Sequence, residues 1–140
     1  MVYADYWIAL QEGHLTYGTF EDYKSIINRH IKPSMKGLRM RDVLPDDITR
    51  MMKEVANFSK SVHDKTYMLA KQMFTNAYDN KLISENPCPK MHAGGRDPVE
   101  RQALTNEQMT TLIEAVKGTR AYVFCMIGLY SGLRREEILG

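Results

Sequence analysis

The chain has few of the features that define secreted, metal-binding or membrane-spanning proteins. It contains two cysteines, Cys88 and Cys125, and no N-terminal stretch with the pattern of a signal peptide, so a disulfide-stapled secreted domain is not expected. The longest apolar run, residues 121–130, is about half the length that a membrane span needs. The four histidines are scattered, which predicts no metal site. We therefore expect a cytoplasmic protein without membrane contact or cofactor.

The chain as a whole also has little excess of charge of either sign. The formal net charge is +2 and the isoelectric point is near 8.5, which is too mild to establish a nucleic-acid partner without local clustering of charge. With 44% hydrophobic and 26% charged residues, the 140-residue chain has the composition of a soluble globular protein with a core. Its length allows one ordinary domain, or one small domain and part of another.

No stretch shows the alternating pattern of a strand, and the first half of the chain has helical spacing instead. A first helix is predicted from Tyr3, Tyr6, Trp7 and Leu10, with Gly13 as its stop. For the second helix, a cap at Thr19 is followed by acidic residues in the first turn, where they face the positive helix end. Its apolar stripe and its expected terminator are Phe20, Tyr23, Ile27, Ile31 and Pro33.

Two more helices are predicted before residue 85. Pro45 opens the third helix, because proline suits the first helical turn, and its inward side chains are Ile48, Met51, Met52 and Val55. Ser61 opens a long fourth helix that runs to about Leu82. Its apolar positions are Leu69, Met73, Phe74, Ala77 and Tyr78. The pattern predicts an all-α bundle.

Helical periodicity disappears between about Glu85 and Ala103, where proline and glycine are frequent. Beyond this stretch, Thr105 and Gln108 have the spacing of a capping box at the start of a further helix. We expect a first domain over residues 1–87, a linker over 88–103 and a second module over 104–140 that is cut off at Gly140.

The motif Ser131-Gly132-Leu133-Arg134-Arg135-Glu136-Glu137 follows the apolar run. It resembles the first active-site arginine box of tyrosine recombinases, the family of lambda-type phage integrases and conjugative-transposon integrases. Leu82-Ile83 followed by Asn86-Pro87, and also His30-Ile31-Lys32-Pro33 with Lys36-Gly37, fit the same family pattern in order and spacing. The resemblance implies a four-helix, SAM-like core-binding domain joined to the helical start of a catalytic domain, in a protein of bacterial or phage origin.

In this family a tyrosine attacks a DNA phosphodiester and forms a 3′-phosphotyrosyl bond without a metal or cofactor. The resemblance assigns Arg134 to stabilising the negative charge on the phosphate and Glu137 to supporting it, a role that suits a permanently charged, planar guanidinium. The nucleophile and the other catalytic groups of the family lie beyond the arginine box. We therefore expect the parent protein to be a recombinase and this chain alone not to cut DNA.

A basic segment gives an independent indication of DNA binding. Residues 24–41 carry six basic side chains and no acidic one, and Lys24 and Arg29 lie off the apolar stripe, so they can project into solvent. Cations of this kind neutralise phosphates. Ser61 stands beside Val62, where the family often has a phosphate-contacting threonine. The predicted DNA-contacting residues are Lys24, Arg29, His30, Lys32, Lys36, Arg39, Arg41, Lys60, Ser61, Lys65 and Lys71. The expected partners are duplex DNA at a recombination site and other copies of the chain on that DNA.

Other interpretations of the same residues stay open. The basic segment fits an ordinary solvated face, and Arg134 with Glu137 fits an exposed helix pair that contributes about 0.2–0.5 kcal/mol. A helical protein–protein interaction module explains the helices and their caps without DNA binding. A helix-turn-helix regulator is disfavoured, because no short turn joins a recognition helix. The apolar run at 121–130 also predicts self-association through the tail.

Overall fold

The computed structural model describes residues 2–90, 94–100 and 102–140 and divides the chain into two compact units, Met1–Pro98 and Val99–Gly140. Within those described ranges every regular element is helical, and the one β feature is an isolated bridge between Ser59 and Arg96. The all-α fold class is confirmed. The first unit extends through Pro98. The predicted boundaries at 87 and 104 stay a prediction, and part of the predicted linker, residues 91–93 and Arg101, lies outside the described residues.

The first unit contains five helices joined by short irregular segments. A π-helical turn, Ile27–Ile31, connects the second helix to the third, and a 3₁₀ turn, Met40–Asp42, precedes the fourth. In chain order the helices are α1 (Val2–Ala9), α2 (Tyr17–Ile26), α3 (Lys32–Ser34), α4 (Pro45–Val55) and α5 (Lys60–Asp79).

Helix α5, with 20 residues, is the central element of this unit. Five of its apolar side chains belong to the buried core, and α1, the π turn and α4 pack their own apolar residues into the same cluster. The contribution of α5 is Leu69, Ala70, Met73, Phe74 and Ala77. Because such side chains are worth about 1.5–3 kcal/mol each when fully buried, this cluster holds the four longer helices together.

Two helices begin earlier than their sequence predicts. The hydroxyl of Thr16, not of Thr19, caps α2 by accepting the Thr19 amide at 3.4 Å. Ser59, not Ser61, caps α5 by accepting the Val62 amide at 3.4 Å, which makes Ser61 the second residue of the helix. Each true cap is a hydroxyl residue two or three positions ahead of the predicted one, and local sequence does not discriminate between the two candidates.

Pro33 does not end the second predicted helix, because the chain continues helically through Ser34. A proline inside a helix lacks an amide donor and presses its ring against the carbonyl four residues earlier. Here the Lys32 amide bonds to the Ile27 carbonyl, five residues back, so the π turn widens the helix directly before the proline. The helix therefore continues one residue past Pro33, to Ser34.

Some aromatic and aliphatic side chains that were predicted to face inward are exposed. Tyr6 is 55% exposed and Leu10 43%, whereas the buried residues of α1 are Ala4, Trp7 and Ile8. Tyr78 at the end of α5 is also largely exposed, and α5 ends at Asp79, not near Leu82. Tyr3 lies between these extremes, and its hydroxyl donates to Asn76 Oδ1 at 2.7 Å.

The second unit consists of α6 (Asn106–Val116), α7 (Ala121–Ser131) and α8 (Arg135–Leu139). The predicted capping box is present. The Gln108 amide donates to Thr105 Oγ1 at 3.2 Å, and the Thr105 amide donates to Gln108 Oε1 at 3.0 Å. Gly132 ends α7 in the left-handed conformation, with φ of 66°. None of the residues that the structure describes in this unit is fully buried.

Candidate nucleic-acid interface

The basic segment follows the chain from α2 to the 3₁₀ turn. Lys24 lies in α2, Arg29 and His30 lie in the π turn, and Lys32 begins α3. Three further cations follow α3, and all three are exposed: Lys36, Arg39 and Arg41. The local acid-free sequence is therefore spread over one bent helical stretch and the turn that follows it.

Four of the predicted DNA-contacting cations form ion pairs, all with acids from outside the basic segment. Lys32 pairs with Asp5 of α1, and Lys65 of α5 pairs with Asp22 of α2. Two weaker pairs are local: Lys24 with Glu21 at 3.4 Å and Arg41 with Asp42 at 3.9 Å. The Lys32 and Lys65 pairs join separate helices, so these two lysines also have a structural role.

Five predicted cations form no ion pair within the described parts of the chain. All five are exposed, and they are Arg29, Lys36, Arg39, Lys60 and Lys71. A phosphate that approaches one of these side chains does not have to displace a carboxylate. The unpaired cations can therefore contribute more to anion binding than the paired ones.

His30 brings the π turn next to the start of α5. Its ring meets the Phe58 ring edge-on at a centroid distance of 4.9 Å, one residue before the cap Ser59. Partial burial, and secondarily the charge of Arg29, lower the pKa of His30 below its usual value. Folding therefore favours the neutral ring of His30, which can offer one ring donor. This contact places the π turn next to the residues that precede α5.

The cations of α5 do not all face the same way. Lys65 and Lys71 are six residues apart, which rotates their side chains by about 120° around the helix axis. Lys65 pairs with Asp22 of α2. Lys71 instead lies close enough to Cys88 for its charge to lower the pKa of that thiol, although burial has the larger effect and raises this pKa to about 12. Lys71 thus lies on another side of the helix from the α2-facing residues.

The arginine box forms the start of α8. Arg134 precedes the helix, its side chain is 85% exposed, and its Nη1 lies 4.0 Å from Oε1 of Glu137. The stronger contact of Glu137 is with the main chain, because its Oε2 accepts the Arg134 amide at 2.7 Å. The predicted role of Glu137 in holding the guanidinium stays a prediction. The guanidinium is left accessible to an anion.

The two neighbouring charges pair with each other. Arg135 Nη2 lies 2.5 Å from Oε1 of Glu136, and this hydrogen-bonded contact lowers the pKa of Glu136 below its usual value. Both side chains are exposed. Arg135 is therefore already paired with a carboxylate, whereas Arg134 has only the 4.0 Å contact with Glu137 among the described residues.

Arg96 is a cation that sequence reasoning did not select. Its main chain is hydrogen-bonded to Phe58 and Lys60 at the start of α5, and its side chain is exposed without an ion pair in the described residues. The two glycines before it, Gly94 and Gly95, are a signal that the backbone approaches another segment closely, but the sequence analysis assigns them to a linker. No cluster of three or more potential metal ligands occurs among the described residues, and no helix there is long and apolar enough to cross a membrane.

One family model matches the chain. Residues 2–56 match the phage integrase N-terminal SAM-like domain, which covers 55 of the 140 residues and corresponds to α1 through α4. These residues are therefore similar to a phage integrase SAM-like domain, and the match supports a fragment of the tyrosine recombinase or phage integrase family. Comparison with curated proteins gives no match, and comparison with solved structures gives none either.

Proposed function

We propose that the first unit binds duplex DNA in a site-specific tyrosine recombinase that acts in DNA integration and recombination. The observation that carries this proposal is a set of five exposed cations that have no carboxylate partner among the described residues, three of which belong to the acid-free segment. The similarity of residues 2–56 to the phage integrase N-terminal SAM-like domain supports a DNA partner. The protein would act in the cytoplasm of a bacterium, whether its gene is bacterial or of phage origin.

Within the predicted set, the contacts divide into two kinds. Arg29, Lys36 and Arg39 are free to neutralise phosphates directly, with Lys60 and Ser61 beside the π turn. Lys32 and Lys65 first stabilise the packing of α1 and α2 through Asp5 and Asp22. A phosphate at these two lysines competes with an existing carboxylate, so their contribution to affinity is smaller.

A pair of matched triple variants tests this assignment. Arg29→Gln, Lys36→Gln and Arg39→Gln together remove three unpaired cations from the proposed interface. Lys53→Gln, Lys81→Gln and Lys117→Gln remove the same charge from exposed positions elsewhere. At fixed low salt, the first triple variant should bind a duplex about tenfold or more weakly, and the second should change affinity much less. Equal losses would show that only net charge matters.

We further propose that Arg134 stabilises phosphate charge in the parent enzyme, with Glu137 holding the helix start that presents it. The exposed guanidinium and the Glu137 contact to the Arg134 main chain support this role. The chain alone should form no covalent adduct with DNA, because the catalytic groups expected beyond the arginine box are required. A nicked suicide substrate should therefore give no denaturation-resistant band on a gel, and such a band would contradict the assignment.

A second candidate function is self-association through α7, either on DNA or free. It is favoured by the exposure of apolar side chains on this helix, since Val123 is 64% and Tyr130 76% exposed. Burying such side chains against another copy releases free energy. Sedimentation of the chain should show a concentration-dependent dimer that Val123→Ser weakens. A monomer at all concentrations would exclude self-association and favour an intramolecular cover.

A further inference from the structure

The segment before the second unit is bonded to the start of α5. The Arg96 amide donates to the Phe58 carbonyl at 2.8 Å, and the Lys60 amide donates to the Arg96 carbonyl at 2.9 Å. The first amides of a helix have no partner within the helix, so the Arg96 carbonyl satisfies one that α5 leaves free. We call residues 94–98 the strap.

Two glycines make this approach possible. A Cβ on Gly94 would lie 2.5 Å from Nε2 of His63, whose ring is buried and has its Nδ1 3.1 Å from Asp64 Oδ1. A Cβ on Gly95 would lie 2.6 Å from the Cα of Lys60, and Gly95 also has φ of +82°. A side chain at Gly95 therefore cannot be accommodated without moving the strap away from α5, and one at Gly94 would displace either the strap or the buried His63 ring.

A second anchor holds the chain just before the strap. The Tyr67 hydroxyl, on α5, donates to the carbonyl of Pro89. The main chain is thus fixed to α5 at Pro89 and again at Arg96. What sequence predicts to be a loose linker from residue 88 is attached to the first unit at both of these points.

We propose that the strap is a conformational device that sets the length of the tether between the two units. With the strap bound, six residues separate Pro98 from the cap Thr105, and this connection spans at most about 25 Å. With the strap released, the free chain begins after Pro89 and spans at most about 55 Å. If the two units bind one partner together, the longer tether lowers the effective concentration of the second unit at that partner about threefold.

Four single variants test whether the strap depends on close approach. Gly95→Ala introduces both left-handed strain and a contact with the Lys60 main chain. Its matched control is Gly13→Ala, since Gly13 has φ of +80° and open space around it. Gly94→Ala introduces only the contact with His63, and its control is Gly18→Ala, where nothing lies within 4 Å.

Amide hydrogen exchange in the full chain measures strap binding directly. We expect Gly95→Ala and Gly94→Ala to lose protection at the Lys60 and Arg96 amides, while both controls keep it. Adding His63→Ala to Gly94→Ala should restore part of this protection, because it removes the ring that the new Cβ contacts. Adding it to Gly95→Ala should restore none, because the Cβ there meets the main chain of Lys60. The proposed strap would be contradicted if the Lys60 amide exchanged equally fast in Gly95→Ala and Gly13→Ala. It would also be contradicted if the Lys60 amide were unprotected in the unaltered chain.

Double electron–electron resonance measures the tether. Spin labels on unnatural side chains at Asp79 and Glu107, one in each unit, leave Cys88 and Cys125 unchanged. We expect Gly95→Ala to broaden the distance distribution and extend its long end, with Gly13→Ala matching the unaltered chain. A distribution that does not change while Lys60 loses protection would overturn the proposed control of tether length. Neither readout involves DNA, so failure here is distinguishable from failure of DNA binding.

Discussion

The two units have the same kind of secondary structure but differ in how their helices are stabilised. Helix α5 in the first unit places Phe74 and Met73 in a fully buried core, whereas α7 in the second unit leaves Val123 and Tyr130 largely exposed. Both units have well-formed caps, at Ser59 and at Thr105. Caps and propensity define where a helix lies, but tertiary burial supplies most of its stability. The first unit therefore has the means to fold independently, and the second depends more on what covers α7.

Truncation of a core side chain should give the largest difference in lost stability between the two units. Phe74→Ala removes a fully buried ring and should destabilise the first unit by about 3–5 kcal/mol. Phe124→Ala, in the half-buried α7, should cost clearly less. Urea unfolding followed by circular dichroism measures both effects. Similar losses in the two variants would mean that α7 is buried to the same extent as α5.

Cap removal should give the next largest effect and tests the observed helix starts. Ser59→Ala should cost about 1 kcal/mol, because its hydroxyl accepts the Val62 amide. Ser61→Ala at the exposed second position should be nearly neutral. Thermal unfolding of both variants measures the difference in stability. A larger loss of stability for Ser61→Ala would show that Ser61 is the helix cap, as the sequence predicts.

Acidification should affect the first unit through His30, and this is the smallest of the expected effects. Its pKa is lowered in the folded state, so folding favours the neutral ring and the unfolded chain binds more protons. This contribution is fully present above the unfolded pKa, near 6.5, and is lost as pH falls through the folded pKa. Stability should therefore drop between pH 7 and 5 by more in the unaltered chain than in His30→Gln. A steeper drop in the variant would contradict the stated sign.

Much of the fold follows from local sequence, because apolar stripes and capping residues act within one or two helical turns. The buried residues of α4, Ile48, Met51 and Val55, were predicted directly in this way. The first-unit helix starts were missed where two hydroxyl residues compete, as with Ser59 and Ser61. Pro33 was misjudged because the π turn that accommodates it depends on hydrogen bonds five residues apart, which no composition signal indicates.

The candidate site was less predictable than the fold. An acid-free run of residues identifies cations, but their partners lie far away in sequence: Asp5 is 27 residues from Lys32, and Asp22 is 43 residues from Lys65. Only the packing of α1 and α5 against α2 and the π turn shows which cations remain unpaired. The strap was missed for a similar reason, since its bonding to α5 joins segments that are separated by more than thirty residues.

The salt dependence of duplex binding tests the central claim most directly, namely that the first unit binds DNA through its unpaired cations. The slope of log affinity against log salt should fall in magnitude by about two to three in the Arg29, Lys36 and Arg39 triple variant, close to 0.9 for each lost phosphate contact. The Lys53, Lys81 and Lys117 control should keep the slope of the unaltered chain. An unchanged slope in the first triple variant, or the same reduction in both, would contradict the assignment of the interface to these residues.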